Sequence, residues 1–439
     1  MKTGRGAAGQ GGSNSLHEAA LFADAGLTRR ADGALLLGGV SLEEVAREVG
    51  TPAYVYNAEV IRARVAELAE AFAPLEHRIY YAVKANSCLA VLQLLRELGT
   101  GCDIVSVGEL RRALAAGFAP DRLVFSGVGK RTDELAQACA VGIGQINLES
   151  LEELEVLSAQ ARAGSGPRVR VAIRVNPDVT VETHPYTRTA MAAAKFGVPA
   201  DQVLEAARRI AANDRLELRG LAMHVGSQVL NVEPFVSGAR RLVELTGALR
   251  EEGIGTLRSL DLGGGLGIRY LEETPLTPRR LADALVPLVA PLGLTIHLEP
   301  GRYLVGSAGV LLARVLYRKH AGGTDFVIVD TGMNDLERPS RYQAHHEIVV
   351  VRERGREARP VDVVGPICES GDFLALARPL PEVEPGDLLA VLGAGAYGFV
   401  MSSNYNDRPR PPEIMVERQA WRVARRRETL EDLIKLDLL

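Results

Sequence analysis

Four short motifs in this chain of 439 residues carry side chains that could do chemistry together. YAVKAN contains Lys84, HVGSQ contains His224 and Ser227, and EPGR contains Glu299 and Arg302. The fourth motif is the glycine-rich run GGGLG at 263–267. Each motif follows a short apolar run of the kind that forms a buried strand. Because functional groups cluster where parallel strands end, we expect the four motifs to meet at one end of a barrel or sheet.

The lysine and the glycines could bind two different groups, a carbonyl and a phosphate. Desolvation lowers the pKa of a lysine, so the Lys84 amine could attack a carbonyl and form a Schiff base. A snorkelling or ion-paired lysine would show the same pattern. GGGLG is typical of a loop whose N–H groups bind phosphate, although a tight turn without a ligand is the alternative. It does not match G-x-G-x-x-G, because the last position falls at Ile268.

The two other motifs also allow purely structural explanations. His224 could be a buried, hydrogen-bonded histidine, and Glu299 could pair with Arg302. Together, however, a lysine, a phosphate loop, a flat ring and a carboxylate meet the needs of pyridoxal 5'-phosphate. The lysine would bind its aldehyde, the loop its phosphate, and the acid would keep its pyridine nitrogen protonated. The sequence therefore predicts this cofactor.

Eight apolar runs alternate with helix-like segments through the middle of the chain. They span 78–84, 101–107, 122–126, 145–148, 169–175, 216–225, 257–262 and 294–298. This alternation predicts a parallel sheet with crossover helices, and eight repeats favour an α/β fold closed into a (β/α)8 TIM-like barrel. A doubly wound open sheet is the alternative.

After Arg302 the helical pattern gives way to short strand-like runs between Gly and Pro turns, which predicts a C-terminal β-domain. A short strand near Ala34–Leu37 is expected to join that domain. We therefore predict three parts, with these bounds: a flexible N-terminal segment over 1–32, the barrel over 51–301, and the β-domain over 33–50 and 302–439.

The β-domain adds further polar residues. Cys368 and Glu369 stand in CESGD, and Tyr397 stands in GAYGF. A lone cysteine is often only a small buried hydrophobe, but an accessible one beside a cationic group is a candidate proton donor. The neighbouring His345 and His346 lack any zinc-site spacing, so we predict no metal.

The composition argues against a nucleic-acid-binding protein and against a membrane protein. There are 51 basic and 55 acidic residues, a net charge of −4, and no basic patch suited to nucleic acid. The apolar stretch 281–298 is interrupted by Asp283, Pro287 and Pro291, which argues against a membrane span. The four cysteines are scattered, and the first residues lack the apolar run of a signal peptide. We expect a cytoplasmic protein that acts on a small molecule, without nucleic acid or membrane partners.

The motifs, taken in order, resemble those of the diaminopimelate decarboxylases, which are alanine-racemase-like (fold-type III) pyridoxal-phosphate enzymes. The resemblance runs from about Gly33 to the C-terminal RRRETLEDLIKLD. YAVKAN, HVGSQ, GGGLG, EPGR, MNDLERP, CESGD and GAYGFVMSSNYN all stand in the family's order.

The resemblance implies roles for named residues. The cofactor would be bound by Lys84, His224, Ser227, Gly264, Gly265, Glu299, Gly301, Arg302 and Tyr397. The substrate would be bound by Arg302, Arg338, Tyr342, Glu369 and Tyr397. Lys84 would hold the cofactor covalently, His224 would stack on its ring, Glu299 would meet its pyridine nitrogen, and Cys368 would return a proton to the substrate. In this family Cys368 and Glu369 come from the neighbouring subunit, so the resemblance also implies a homodimer with shared active sites.

The implied reaction is decarboxylation of meso-2,6-diaminopimelate to L-lysine and CO2, the last step of lysine biosynthesis. The alternatives are a decarboxylase of the same fold acting on ornithine, carboxynorspermidine or a carrier-bound glutamyl group, and a non-catalytic homologue. Arg341 stands where the family usually has an apolar residue, and so adds a charge beside the predicted carboxylate site. The segment Tyr186–Phe196 is expected to act as a lid.

Overall fold

The computed structural model describes residues 10–164, 166–177 and 195–438. They form two compact units. The barrel unit comprises residues 61–268 and 275–305, and the β unit comprises the residues up to 60, 269–274 and those from 306 onward. Within the described ranges, every helix is too short or too polar to cross a membrane.

The chain enters the β unit through short elements. These are α1 (Gln10–Ala25), β1 (Leu27–Arg29), β2 (Leu35–Leu37), β3 (Val40–Ser41), α2 (Leu42–Val49) and β4 (Ala53–Asn57). The prediction of a flexible segment over 1–32 differs from this, because α1 and β1 are regular elements. Leu21, Ala25 and Leu27 are buried in the core of the β unit, which holds them in place despite the weak helical pattern of the small residues around them.

The barrel unit alternates strands and helices. Its strands are β5 (His77–Ala82), β6 (Gly101–Ile104), β7 (Leu123–Phe125), β8 (Gln145–Leu148), β9 (Val169–Asn176), β10 (Val198–Pro199), β11 (Leu216–Ala222), β12 (Ser259–Asp261) and β13 (Thr295–Leu298). The helices between and beside them are α3 (Ala58–Ala71), α4 (Leu89–Glu97), α5 (Val107–Ala115), α6 (Thr132–Val141), α7 (Leu151–Ala163), α8 (Val203–Ala211), α9 (Glu233–Glu251), α10 (Pro278–Val289) and α11 (Arg302–Val305).

Eight of these strands close into a barrel. Neighbouring strands pair in parallel from β5 to β9 and onward through β11, β12 and β13. The ring closes where Ile296 of β13 pairs with His77 of β5, and where Ile146 of β8 pairs with Val171 of β9. The predicted (β/α)8 barrel is therefore confirmed, and the open-sheet alternative is wrong.

Serine caps start helices directly after barrel strands. Ser106 Oγ accepts the Glu109 N–H at 3.2 Å at the start of α5, and Ser150 Oγ accepts the Glu153 N–H at 3.1 Å at the start of α7. A capping side chain satisfies a helix N–H that has no partner within the helix. These caps turn the chain sharply at the strand ends, where the chemically active motifs lie.

The C-terminal part of the β unit contains β14 (Gly309–Ala321), β15 (Thr324–Val329), α12 (Arg338–Tyr342), β16 (Ile348–Val350), β17 (Ala358–Val364), β18 (Phe373–Pro381), β19 (Leu388–Val391), β20 (Glu413–Glu417), β21 (Ala420–Arg425) and α13 (Leu430–Ile434). The main sheet runs in the order β18-β17-β15-β14-β4-β20-β21; β19 also pairs with β14, and β16 pairs with β19. Gly322 and Gly323 both have positive φ and form the two-residue turn between β14 and β15.

The position of β4 differs from the predicted domain bounds. Ala53–Asn57 is a central strand of the β-unit sheet, where it pairs antiparallel with β14 and parallel with β20. The sequence placed these residues in the barrel range 51–301, because an apolar run followed by a helix looks like one more barrel repeat. β2, predicted near Ala34–Leu37, pairs with β1 and β3, and the Leu35 N–H donates to Val351 O at 2.8 Å.

Candidate active site

Lys84 lies just past the end of β5, in a 3-10 turn over Val83–Ala85. Its Nζ lies 2.7 Å from Oδ2 of Asp103, which is a fully buried residue of β6. The Lys84 side chain is 37 % exposed. The amine is therefore accessible at the barrel end, while the Asp103 carboxylate pairs with its charge. Lys84 is thus ion-paired, as one of the structural explanations expected. This ion pair is compatible with a reactive role for the amine.

His224 follows β11 and presents a half-buried imidazole. The Gly264 N–H donates to its Nδ1 at 3.3 Å. Burial, together with the positive charges of Arg174 and Lys84, lowers the pKa of His224 well below its usual value. The ring is therefore neutral and flat, as a stacking partner must be.

The glycine-rich loop after β12 has no room for side chains. A Cβ on Gly264 would overlap the carbonyl oxygen of Glu299, and a Cβ on Gly265 (φ +111°) would overlap that of Gly226. The side chain of Gln228 fixes the end of the loop, with Nε2 donating to Ile268 O at 2.6 Å and Oε1 accepting the Ile268 N–H at 3.1 Å. These close contacts hold the backbone N–H groups of the loop in a fixed position.

Glu299 follows β13 and contacts a second buried carboxyl, that of Asp261. Asn147 Nδ2 donates to Glu299 Oε1 at 3.5 Å, and the Gly263 N–H donates to Asp261 Oδ1 at 2.8 Å. Burial raises the pKa of Asp261 to about 6. Burial and the nearby carboxyls of Asp103 and Asp261 raise the pKa of Glu299 well above its usual range. The buried position of Glu299 therefore favours its protonated, neutral form.

Arg302 and Ser227 meet beside the glycine loop. Arg302 Nη2 donates to Ser227 Oγ at 3.0 Å, and the Arg302 side chain is largely buried. Arg302 is thus oriented by Ser227, while Glu299 accepts a hydrogen bond from Asn147.

In the β unit, Arg338 is held rigidly. Its Nη1 donates to His346 Nε2 at 2.8 Å, while His346 Nδ1 donates to Leu392 O at 2.8 Å. The guanidinium also lies 4.6 Å from the centre of the Tyr270 ring. Arg341 is exposed and pairs with Glu337 at 3.0 Å, so the extra charge noted in the sequence is locally balanced. Tyr342 is half-buried, with the Arg341 guanidinium 5.5 Å from its ring centre.

Cys368 and Glu369 lie on the surface of the β unit. Both are exposed, and Cys368 is the only exposed cysteine of the four. The Cys368 N–H donates to Asn406 Oδ1 at 2.9 Å, and the Tyr405 hydroxyl hydrogen-bonds Glu369, which raises the pKa of Tyr405. Tyr397 is half-buried and adopts a left-handed backbone (φ +57°), a conformation that is uncommon outside glycine.

Comparison with known proteins identifies the family. Residues 58–306 match the pyridoxal binding domain of the pyridoxal-dependent decarboxylases. Diaminopimelate decarboxylase of Pseudomonas aeruginosa is 48 % identical over 402 residues, which is 92 % of this chain and 96 % of that protein. The chain belongs to the diaminopimelate decarboxylase family. The Aquifex aeolicus enzyme of that name is 45 % identical over 93 % of this chain and 96 % of its own.

Solved structures of family members agree. The Helicobacter pylori diaminopimelate decarboxylase complexed with L-lysine has a TM-score of 0.87 at 42 % identity, covering 90 % of this chain and 98 % of that one. The M. jannaschii enzyme, also with L-lysine, has a TM-score of 0.89 at 34 % identity over 94 % of this chain and 98 % of that one. The predictions of family, fold and enzyme class are confirmed, and so is the predicted cofactor, pyridoxal 5'-phosphate.

The barrel end fits the family's cofactor. Among the described residues, the N–H groups of Gly265 and Gly301 have no hydrogen-bond acceptor, so they are free to bind a phosphate. A Cβ on Gly301 would lie 3.0 Å from the Ala85 side chain, so only glycine leaves this wall open. The exposed amine of Lys84 and the Glu299 carboxyl, whose pKa is raised, lie at the same end of the barrel, as an aldehyde and a pyridine nitrogen require.

The structure groups the predicted site residues within each unit. At the carboxyl ends of the barrel strands it places Lys84, His224, Ser227, Gly264, Gly265, Glu299, Gly301 and Arg302. The β unit holds Arg338, Tyr342, Cys368, Glu369 and Tyr397. The predicted lid falls almost entirely outside the described residues. Across the described ranges, no three metal-binding side chains come together.

Several residues that interact with the candidate site residues or with the chain around them were missed from the sequence. Asp103 and Asp261 both stand at the ends of predicted strands, so the rule that found Lys84 could also have found them. Glu149 accepts hydrogen bonds from Arg174 at 2.7 Å and from the Gly197 N–H at 2.9 Å, and thus ties down the chain beside the barrel end. Glu149 directly follows the predicted strand 145–148, so the same rule could have found it, although its partners lie far away in the chain.

Proposed function

We propose that this chain decarboxylates meso-2,6-diaminopimelate to L-lysine and CO2, the last step of lysine biosynthesis. The observation that carries the proposal is the similarity, at 39–48 % identity over at least 90 % of this chain, to eight relatives that are all named diaminopimelate decarboxylase. Of the related structures, those from Helicobacter pylori and M. jannaschii were solved with L-lysine, the product of that reaction.

Pyridoxal phosphate, when bound, draws off the electron pair that remains on Cα as CO2 departs. We assign Lys84 to hold its aldehyde, because the amine is exposed at the barrel end. Asp103, 2.7 Å away, keeps the ammonium oriented when the amine is not bound to the cofactor. A charge-assisted hydrogen bond of this kind positions the amine more strictly than an unpaired side chain would.

We assign Glu299 to the pyridine nitrogen. Burial and two neighbouring carboxyls favour the protonated form of Glu299, so it holds a proton that it can place on a nitrogen base. Neutral His224 is assigned to one face of the cofactor's pyridine ring, since a charged imidazolium would repel a protonated pyridine. Both residues thus support the electron-withdrawing form of the cofactor.

We assign the phosphate to the glycine loop and its neighbours. The free N–H groups of Gly265 and Gly301 supply directed donors, and Gly264 lets the loop approach closely. Arg302, oriented through Ser227, adds a positive charge at the same place. We also assign Arg302 to the substrate side, because one guanidinium can serve two anions through its five N–H donors.

We assign Arg338, Tyr342, Glu369 and Tyr397 to the distal amino-acid group of the substrate. A distal group with both an ammonium and a carboxylate needs a cation and an anion to bind it, and Arg338 and Glu369 supply these. His346 and Tyr270 hold Arg338 in one orientation, which favours a fixed carboxylate position. A substrate without that distal group would leave these charges unpaired, at a cost of about 1–3 kcal/mol for each.

Cys368 is our assigned proton donor, and we propose that it acts in a homodimer. Cys368 and Glu369 are exposed on the β unit, where a second copy of the chain can cover them. In that arrangement each copy supplies Cys368 Sγ and Glu369 to the active site of its partner. A position in the cytoplasm suits this role, because four free cysteines persist in a reducing compartment.

A product assay tests the reaction. The purified protein with pyridoxal phosphate is incubated separately with meso-, L,L- and D,D-diaminopimelate, L-ornithine and L-arginine, and CO2 and lysine are measured. We expect lysine from the meso isomer alone. Release of CO2 only from ornithine or arginine would overturn the substrate and retain the cofactor. No release from any of the five, with the cofactor's visible absorbance present, would favour a carrier-bound substrate or a non-catalytic homologue.

A further inference from the structure

A second polar cavity lies at the opposite end of the barrel from Lys84. Its volume is about 200 Å³, and it is lined by residues at or just before the starts of barrel strands. Arg78 comes from β5, Arg170 from β9, Arg219 from β11, and Arg258 immediately precedes β12. We call this space the lower cavity. Active sites of this fold occupy the other end, so the fold itself does not require a polar cavity here.

The lower cavity has an excess of positive charge. Four guanidinium groups line it, against a single lining carboxylate, that of Asp121. Glu217 lies near one of the four, with Oε2 3.2 Å from Arg219 Nε. Four arginines that line one small cavity repel one another unless an anion or solvent separates them, so their grouping favours a bound anion.

The arginines retain donors for a ligand. Arg170 Nη2 donates to Ile143 O at 3.2 Å, and Arg258 Nη1 donates to the carbonyl oxygens of Gly255 and Leu257 at 3.0 and 2.9 Å. These contacts fix where the guanidinium groups lie and use one nitrogen of each. Because a guanidinium carries five N–H donors in a rigid fork, most of them remain available to an oxyanion.

A buried histidine with an unmatched nitrogen completes the wall. His297 is 6 % exposed, and its Nδ1 has no hydrogen-bond partner among the described residues. Its ring centre lies 4.9 Å from that of Tyr80, which also lines the lower cavity. Burial and the charges of Arg78 and Arg122 lower the pKa of His297 to about 3, so the ring is neutral. A buried polar atom without a partner points to a missing ligand or water.

We propose that the lower cavity binds a compact phosphate-type oxyanion, with Arg78, Arg170, Arg219 and Arg258 as its cationic partners and His297 as a neutral hydrogen-bond partner. Its volume is below the range of about 300–1,000 Å³ that holds drug-sized ligands. The proposed occupant is therefore inorganic phosphate or the phosphate group of a small metabolite. The site is separate from the cofactor's phosphate, which we assign to the other end of the barrel.

Calorimetric titration of the holoenzyme with inorganic phosphate tests this proposal. The holoenzyme is used so that the cofactor site is already filled. The test variant is Arg170→Gln/Arg219→Gln, and the control is Arg241→Gln/Arg279→Gln, which removes two exposed helix arginines and gives the same net charge. We expect one phosphate per chain in the unsubstituted protein and in the control, and at least about tenfold weaker binding in the test variant.

Two outcomes would overturn the proposal. One is the absence of phosphate binding to the unsubstituted holoenzyme. The other is equal affinity in the folded test variant, which would mean that the arginines only cap the barrel and that water satisfies His297. If the test variant fails to fold, crystals of the unsubstituted holoenzyme are soaked in tungstate. An anomalous peak between the four arginines supports the proposal, and its absence there overturns it.

A second titration, with glycerol 3-phosphate, distinguishes the sources of the anion. Tighter binding of the ester would identify a phosphorylated metabolite as the occupant, whereas tighter binding of inorganic phosphate would identify the free ion. Lysine production is measured in parallel for every variant. Because the proposal concerns binding at the lower cavity, loss of phosphate binding with normal lysine production supports it independently of the proposed reaction.

Discussion

At the barrel end, the Lys84 amine lies beside buried carboxyl groups. The amine is accessible, but it pairs with the buried carboxyl of Asp103, and its charge also acts on the buried carboxyl of Glu299, whose pKa is raised. Burying several carboxyl groups beside an accessible cation costs folding free energy, because each buried carboxyl must be paired or neutral. That cost is typical of a site selected for chemistry.

Replacing Lys84 tests the covalent role of its amine. We expect Lys84→Ala to lose the visible absorbance of the bound cofactor and to lower lysine production by at least about a thousandfold, as removal of a covalent catalytic group does. Borohydride reduction followed by mass spectrometry measures attachment directly. The exposed Lys319→Ala variant is the control and should retain both properties. Cofactor mass still attached to Lys84→Ala would contradict the assignment.

At the residue scale, the sequence predicted the candidate reactive groups but not their electrostatic partners. Lys84, His224 and Glu299 each end an apolar run, so a rule about strand ends found them. The pairing of Asp103 with Lys84 depends on which side chains of a strand face the barrel interior, and periodicity does not resolve this in strands of three to six residues. Shifts in pKa likewise depend on burial that only the folded chain shows.

Among the elements, the start of α5 contains a carboxyl group, that of Glu109, whose protonation makes the stability of the fold depend on pH. Glu109 lies in the first turn, and one of its carboxylate oxygens accepts the Val105 N–H at 2.7 Å. Burial raises the pKa of Glu109 to about 7. The folded state therefore binds more protons than the unfolded chain between about pH 4.5 and 7, and this group's contribution to the free energy of unfolding is lost as pH rises through that window.

The variant Glu109→Gln measures this coupling. Glutamine keeps an oxygen for the Val105 N–H but cannot ionise. Relative to the unsubstituted chain, we expect the variant to gain stability as pH rises from 4.5 to above 7, by on the order of 3 kcal/mol for a shift of this size. Urea unfolding at several pH values measures the difference. A difference that does not change with pH would show that Glu109 titrates normally.

The glycine loop after β12 makes a steric prediction at the same scale. In Gly264→Ala the new Cβ meets the backbone oxygen of Glu299, which cannot move without disturbing β13. We expect a loss of about 1–3 kcal/mol in the free energy of unfolding and much weaker cofactor binding. Gly247→Ala is the matched control, because a Cβ there meets nothing within 4 Å in the middle of α9. Equal stability of the two variants would mean that the loop can relax.

The elements themselves were predicted unevenly. All eight barrel strands were located, because each is a short apolar run between amphipathic helices. β4 was assigned to the wrong unit, since its pairing with β14 and β20 depends on residues more than 250 positions away. The helix α1 was missed because its small residues give little periodicity, and contacts with the β-unit core determine its position.

For the whole molecule, the proposed shared active site predicts complementation between two defective variants. Lys84→Ala and Cys368→Ala should each be inactive alone. If subunits exchange, mixed dimers contain one site with both native residues, so the mixture should recover about a quarter of the native activity. The measurement is lysine production after co-refolding in equal amounts. A mixture of Lys84→Ala with itself is the control, and failure to recover any activity in folded dimers would place both residues in the same subunit.

The central position of β4 affects how the protein is made. Ala53–Asn57 leaves the ribosome early, yet one of its neighbours, β14, begins at Gly309 and the other, β20, at Glu413. At about 5–20 residues per second, this strand waits roughly 13–50 s for its first partner. In that interval the nascent chain exposes the apolar strand AYVYN with both edges unpaired, a form prone to association between polysomes. Chaperone demand during synthesis should therefore depend on this strand more than on the barrel, whose strands pair largely with neighbours in the sequence.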